Sequence, residues 1–533
     1  MLRARRQCNQ AVRLGIVAAL LLLLFVRTFN HRHRVPDEFD DENFDQLSDS
    51  PRPIDDLDHE VYKNVCNDYG LFLLSPGPAY LDDRDPTNPV VRVLLYGPEE
   101  LDDPEKNQRV GPIRCSIGAS HNLIEQTAPP SFELLNIYAT TGNFCWSYYL
   151  QCPVHQLTAP LSAVRQVFLE LYPNLAPVAV HVRHVASDSS KGETARASKR
   201  TSPFLLTMCV SAMFDFRHWR SLLLSLEYYR LIGVQQVLLY RESTSSRVVD
   251  AILRYYVHEL RFVEIVEWPL AGPLPNDADE GSYYHGQSLA INDCMLRSIG
   301  RSRFVLIADL DEFVGRLRPI RRNWLQRYVQ RQARLHSNAS DFLIRSAYLE
   351  VPQFSIRGDD DTNSTSRFDE AINNGATMTT DLDRWFRSIQ PLRRPIQLRS
   401  RDIFPETVRS KYVFRPERML KLGVHASFTT TDMRRHTTVV ASPFDALLFH
   451  FKTALDKTAD ELRIVINNDS EDGEYNDERS DKDELIEMDV FASIHSSLRK
   501  TLLNVTRRIE RLLALEPHQS EFTKRNNFVR DLR

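Results

Sequence analysis

The chain has 533 residues, of which 42% are hydrophobic and 26% charged, ordinary globular composition with room for two or three domains and a sizeable core. Its formal net charge of -4 excludes a sequence-independent attraction to nucleic acid or to an anionic lipid surface; any such partner would need a local patch, and none is expected for nucleic acid.

At the start, Arg3, Arg5, Arg6 and Arg13 precede an uninterrupted apolar run from Leu14 to Val26. That run is short of the roughly 17 residues that span a bilayer and matches a cleavable signal core in length. No small-x-small cleavage site follows Val26, and the segment can extend from Ala11 to Phe29 if Arg13 and Arg27 snorkel. It therefore reads as an uncleaved signal anchor over 13–29 behind a cytoplasmic tail, 1–12. A brief span suits the thinner membranes of the Golgi or endoplasmic reticulum, so the expectation is a single-pass type II protein with a lumenal body. Asn-x-Ser/Thr triplets at Asn338, Asn363, Asn468 and Asn504 agree with lumenal placement. So does an even set of cysteines past the anchor, Cys66, Cys115, Cys145, Cys152, Cys209 and Cys294, whose pairing the sequence leaves open. Cys209 and Cys294 read equally well as buried thiols.

The acidic, proline-broken stretch over 30–60 reads as a solvated stem. Residues 61–200 alternate β-prone runs, such as Val90 to Tyr96 and Leu134 to Tyr138, with Gly and Pro breakers, and end in a polar linker; they predict a small β-rich module. From Phe204 the pattern becomes regular. An apolar run, Phe204 to Val210, is followed by a helical stripe through Trp219, Leu222, Leu223, Leu226 and Tyr229 that stops at Gly233. A strand from Val237 to Tyr240, a second stripe through Val249, Ile252, Leu253 and Tyr256, and a strand from Phe262 to Val266 complete a βαβαβ series. A further helix over Gly286 to Arg297 leads to the wholly apolar strand Phe304 to Ala308. Continuous apolar strands predict a mostly parallel sheet covered on both faces, which binds ligands at the carboxyl ends of its strands.

At that end stand Asp309-Leu310-Asp311-Glu312. Two carboxylates one residue apart at a strand exit can hold a Mg or Mn ion, which in turn binds a diphosphate. Six other Asp-x-Asp triplets, beginning at Asp56, Asp83, Asp277, Asp359, Asp381 and Asp481, lie in polar surroundings and read as solvated charge. Only Asp309 follows a buried strand, where clustered carboxylates are costly unless a cation compensates. His425, after Gly423-Val424, and His450, after the run Leu447 to Phe449, could each complete a metal shell, and His425 is preferred. A phosphatase with an aspartyl nucleophile is the nearest chemical competitor, but Phe313 follows the motif where that class usually has Thr or Val, and the motif does not open the domain. A glycosidase, needing only two separated carboxylates, stays open. The arginine-rich segment Arg316 to Arg334 reads as an amphipathic helix with a solvated basic face.

These residues resemble glycosyltransferase family 92 from about Pro203 to Lys452. The resemblance rests on Trp219 with Glu227-Tyr228-Tyr229 and Gly233-Val234, Tyr240 with Ser243, Tyr255-Tyr256, Trp268-Pro269, Gln287 with Asp293-Cys294, and above all Asp309 to Phe313. A second block runs from Lys411 through Pro416 to Val424-His425; His450-Phe451-Lys452 departs from the His-Tyr-Arg expected there. The resemblance implies an α/β, Rossmann-like GT-A domain over 201–460, followed by a C-terminal extension, 461–533. It implies a UDP-sugar donor, UDP-galactose first, Mn2+ (or Mg2+) and inversion at the anomeric carbon; the residue pattern then has Asp309 and Asp311 hold the ion, with His425 a further ligand, and a glycan or glycoprotein as acceptor. Inversion needs a carboxylate base. Glu312, Asp381, Asp383 and Glu406 are candidates, and none is singled out. A catalytically silent lectin or scaffold with the same fold is the alternative.

Overall fold

The computed structural model describes residues 73–514, apart from 98–112, 120–123, 136–145, 172–175, 186–201, 269–285, 352–376, 453–484 and a few shorter gaps. The expected anchor and stem lie outside the described residues; among those described, no helix is long and apolar enough to cross a membrane. Asn338 and Asn504 are exposed, whereas Asn363 and Asn468 lie outside the described set.

The chemistry is framed by a seven-stranded sheet whose order is Val263–Glu267, Gln236–Arg241, Phe204–Met213, Ser302–Ile307, Lys411–Phe414, Ala339–Ile344, Thr437–Val440. The first four strands are mutually parallel, as the apolar runs predict, and Lys411–Phe414 is antiparallel to both its neighbours. Helices connect the parallel strands. Trp219–Ile232 ends at Gly233, whose φ of 113° is a left-handed conformation that costs a residue without a Cβ little. Arg247–Arg254 starts at Ser246, whose side chain accepts from the Val249 N–H. The helix Gln287–Ser298 precedes the central strand Ser302–Ile307. The architecture is therefore mixed α/β, with the covered parallel half lying where the continuous hydrophobic segments occur.

A three-stranded sheet, Glu312–Gly315, Leu447–Lys452 and Ser346–Glu350, stands beside it. The segment after Asp311 is thus a strand, paired so that Glu312 lies opposite His450. Within the expected C-terminal extension, the helix Ala492–Ala514 packs Ile494, Leu498, Leu502, Val505 and Ile509 into the same core as the central sheet. Each fully buried Leu or Ile there contributes about 1.5–3 kcal/mol of burial.

The amino-terminal module is a nine-stranded sheet spanning Leu73 to His184. Its strand Ser131–Leu134 pairs with Tyr148 to Gln151, and most of the expected run Leu134 to Tyr138 lies outside the described residues. A disulfide joins Cys115 to Cys152 inside this sheet, while Cys66 and Cys145 lie outside the described residues. Tyr80, Leu94, Tyr96 and Tyr149 pack with Leu289, Ala290, Cys294 and Met295 of the helix Gln287–Ser298. Polar contacts secure the same seam. Asp293 accepts from Tyr80 Oη at 2.5 Å, from Tyr240 Oη at 2.6 Å and from Arg297 Nε at 2.5 Å. Asn292 bonds Tyr149 and the Leu422 backbone. A second disulfide, Cys209–Cys294, ties this helix to the strand Phe204–Met213, so these two residues are not free thiols.

Candidate active site

Four chain segments converge at the carboxyl edge of the parallel strands. Asp309 leaves the strand Ser302–Ile307 two residues after its end. Ser211, near the end of the neighbouring strand, donates its hydroxyl to Asp309 Oδ1 at 2.9 Å, and Gln287 Nε2 donates to Ser211 Oγ at 3.2 Å. The antiparallel strand brings in the cation. With Leu306 opposite Val413, continuing the register by two residues sets Lys411 level with Ala308, and its Nζ donates to Asp309 Oδ2 at 2.7 Å. The same ammonium is 3.5 Å from Glu312 Oε2.

Glu312 is 2% exposed, and its Oε2 accepts from the Asp309 backbone N–H at 2.8 Å, which closes the turn that carries the acidic pair. Tyr229 Oη and Tyr228 Oη donate to the carbonyls of Glu312 and Val314 from below, so the aromatic stripe of the helix Trp219–Ile232 holds this turn in place. On the other side, the Phe451 N–H donates to the Asp311 carbonyl at 2.9 Å. The register Glu312 to His450 presents His450 Nε2 to Asp311 Oδ2 at 2.9 Å, with Nδ1 3.8 Å from Glu312 Oε1.

The charges follow from this packing. Burial alone would raise the Asp309 carboxyl, but the charge and hydrogen bond of Lys411 outweigh it and hold Asp309 below the ordinary value. Burial pushes Glu312 up to about 7 despite Lys411, helped by the negative charge of Asp309. Burial disfavours the Lys411 ammonium, yet Asp309 and Glu312 raise its pKa above the ordinary lysine value. His450 is likewise raised, because Asp311 more than offsets its burial. His425 goes the other way. Burial, with Lys411 nearby, lowers it to about 3, so the imidazole is neutral over the physiological range. Its Nδ1 is 3.3 Å from the Ser410 carbonyl oxygen.

Of the residues singled out in the sequence, Asp309, Asp311 and Glu312 come together, and His450 makes the contact with Asp311. His425 lies close enough for Lys411 and Asp309 to act on its charge. The other base candidates lie elsewhere. Asp381 pairs with Arg220, Asp383 pairs with Arg387 and Arg499, and Glu406 is exposed in a turn. Asp85 is an exposed turn residue capped by Thr87. The triplets at Asp56, Asp277, Asp359 and Asp481 lie outside the described residues. Lys411 and Ser211 carry no sequence signal of their own; only the block opening at Lys411 hinted at the former.

The donor set, carboxylate oxygen with imidazole nitrogen, has the chemistry that Mn2+ or Mg2+ accepts. Asp309 and Asp311 keep 31% and 18% of their side chains exposed, so both retain an open edge. Among the described residues, no three His, Cys, Asp or Glu side chains form a group that by itself could hold a metal ion.

Residues 205–502, more than half of the chain, match the family model described as glycosyltransferase family 92. Two relatives from Caenorhabditis elegans are similar in sequence. A glycosyltransferase family 92 protein is 29% identical over 211 residues, 37% of this chain and 40% of the relative. A beta-1,4-galactosyltransferase is 26% identical over 115 residues, 21% of this chain and 25% of the relative. The chain thus spans well under half the length of each relative it matches.

Proposed function

We infer that this chain, which belongs to glycosyltransferase family 92, moves galactose from UDP-galactose to a hydroxyl of a glycan or glycoprotein acceptor, with inversion and with a GT-A type domain over 201–460. The observation that carries the reading is the acidic pair at the carboxyl edge of the parallel strands, one member held by a buried lysine and the other by a histidine. The similarity to a beta-1,4-galactosyltransferase supports the choice of sugar.

Asp309 and Asp311 would hold the Mn2+ or Mg2+ that accompanies the donor's diphosphate. His450 is already set against Asp311, and His425, whose lowered pKa keeps its imidazole neutral, is the further nitrogen ligand in the same neighbourhood. When bound, the ion neutralises charge developing on the departing nucleoside diphosphate. The chain's own contribution is positional. Ser211 and Lys411 orient Asp309, Glu312 holds the turn, and Lys411 keeps the approach to the diphosphate from being purely anionic. Glu312 is too buried to meet an acceptor, so it shapes the site instead of deprotonating the hydroxyl. An oxidising lumen suits the two disulfides, and a signal anchor over 13–29 would hold the body in the Golgi or endoplasmic reticulum.

UDP release from a panel of UDP-sugars, with and without EDTA, tests the reading. Turnover greatest with UDP-galactose, abolished by EDTA and reduced about a hundredfold or more in Asp311→Ala is expected. Unchanged activity in Asp311→Ala would remove the acidic pair from the mechanism, and UDP-sugar binding with no turnover would favour a silent lectin.

A further inference from the structure

Beyond the strand Glu312–Gly315 the chain enters a second, oppositely charged site. A cavity of about 770 Å3 opens between Arg316, Pro319 and Arg321, the helix Trp324–Leu335 and the turn at Phe444. Arg316, Arg321, Arg327 and Arg331 line it, against the single carboxylate of Asp445. None of these residues belongs to the acidic centre.

The arrangement differs from a solvated basic face in three respects. Arginines on such a face stand over convex surface, whereas these line one recess within the size range of small-ligand sites, with Arg327 also donating to the Arg322 carbonyl at 2.6 Å. Arg327 and Arg331 stand four residues apart on one helix, a spacing at which like charges repel, and both are exposed. The first turn of that helix contains no acidic residue, so Arg327 adds positive charge to an end that is already positive. Both unfavourable charge terms are relieved by a bound anion. The recess also has built walls. Arg316 lies over the Trp324 ring, 5.3 Å from its centroid, and donates to the Pro319 carbonyl, while Phe444, 56% exposed, offers an apolar ring at the rim.

We propose that this recess binds a saccharide carrying sulfate or phosphate esters, and that it selects acceptors with such groups. Arginine forks take ester oxygens two at a time, and the Phe444 ring covers the apolar face of a sugar. The choice of a saccharide over a phosphorylated lipid headgroup rests on the glycosyl-transfer reading of the acidic centre; the anion chemistry does not.

The test uses the full chain in detergent, with a heparin-derived sulfated octasaccharide as probe and the same oligosaccharide after desulfation as its control. Vesicles of phosphatidylcholine with phosphatidylinositol 4-phosphate serve as the lipid arm. The variants are Arg327→Gln with Arg331→Gln, and Phe444→Ser, all at exposed positions; an unchanged melting temperature certifies their fold. The sulfated probe should bind, the desulfated one should bind about a hundredfold or more weakly, and each arginine removed should weaken binding about tenfold. Phe444→Ser should weaken the sulfated probe by several-fold. Equal affinity for both oligosaccharides, or wild-type affinity in the double arginine variant, overturns the site. Tighter binding to the vesicles than to the oligosaccharide overturns the saccharide assignment. UDP-galactose hydrolysis without acceptor is read in parallel: its absence beside intact, sulfate-dependent binding would defeat the transferase reading while supporting the anion site.

Discussion

Lys411 donates to Asp309 at 2.7 Å with only 1% of its side chain exposed, so an ammonium from a distant segment supplies the counter-charge for the acidic turn. Without it, Asp309 and the more deeply buried Glu312 would face each other with His450 as the remaining nearby counter-charge. Lys411→Met should therefore lower stability by about 3 kcal/mol or more in urea titrations. A loss below about 1 kcal/mol would mean that solvent, not Lys411, screens the pair.

Glu312 gives the site a pH dependence of definite sign. Its carboxyl is pushed up to about 7 by burial, above the ordinary 4.5, so between these values the folded state holds a proton that the unfolded chain has released. Stability from this group therefore falls as pH rises from about 4.5 to about 7. In EDTA-treated protein, Glu312→Gln should gain stability relative to the parent across that window. A parallel pH profile for the two proteins would show that Glu312 keeps an ordinary pKa.

Asp293 sits at the seam between the amino-terminal sheet and the helix Gln287–Ser298, fully buried and bonded by Tyr80, Tyr240 and Arg297. Asp293→Asn removes the charge facing Arg297 and leaves a partner unsatisfied, a loss of about 2–4 kcal/mol. Limited proteolysis should then release the amino-terminal module before the rest of the chain unfolds; simultaneous digestion of both parts would show that apolar packing alone fastens the seam.

The Cys209–Cys294 bridge links the strand bearing Ser211 to the helix that begins at Gln287, and it closes a sequence separation of 85 residues. Cys209→Ser with Cys294→Ser should lower stability by about 2–5 kcal/mol by thermal or urea unfolding. It should also reduce turnover, because Gln287 and Ser211 orient Asp309 from the two tethered elements. Full turnover in the double variant would confine the bridge to a structural role.

Much of the fold could be read in the chain because local periodicity and burial coincide. The runs at Phe204 and Phe304 are apolar without interruption, as strands covered on both faces must be, and Gly233 stops its helix where a left-handed residue is needed. Asp309 and Asp311 stood out for a related reason, since of the Asp-x-Asp triplets only this one directly follows an uninterrupted apolar run. The strand Glu312–Gly315 was less legible: four residues at the end of an acidic motif give no reliable period, and their extended form depends on Leu447–Lys452.

Sequence by itself determined the alternation of strand and helix, the place of the acidic pair at a strand exit, and the family to which the chain belongs. Tertiary structure decided which cations meet that pair. Lys411 and His450 lie more than a hundred residues downstream and reach the turn only through β-register, Leu306 against Val413 and Glu312 against His450. Propensity and periodicity act over a few neighbouring residues, whereas pairing between distant strands depends on the packing of the whole core, and that long-range selection set the electrostatics of the site.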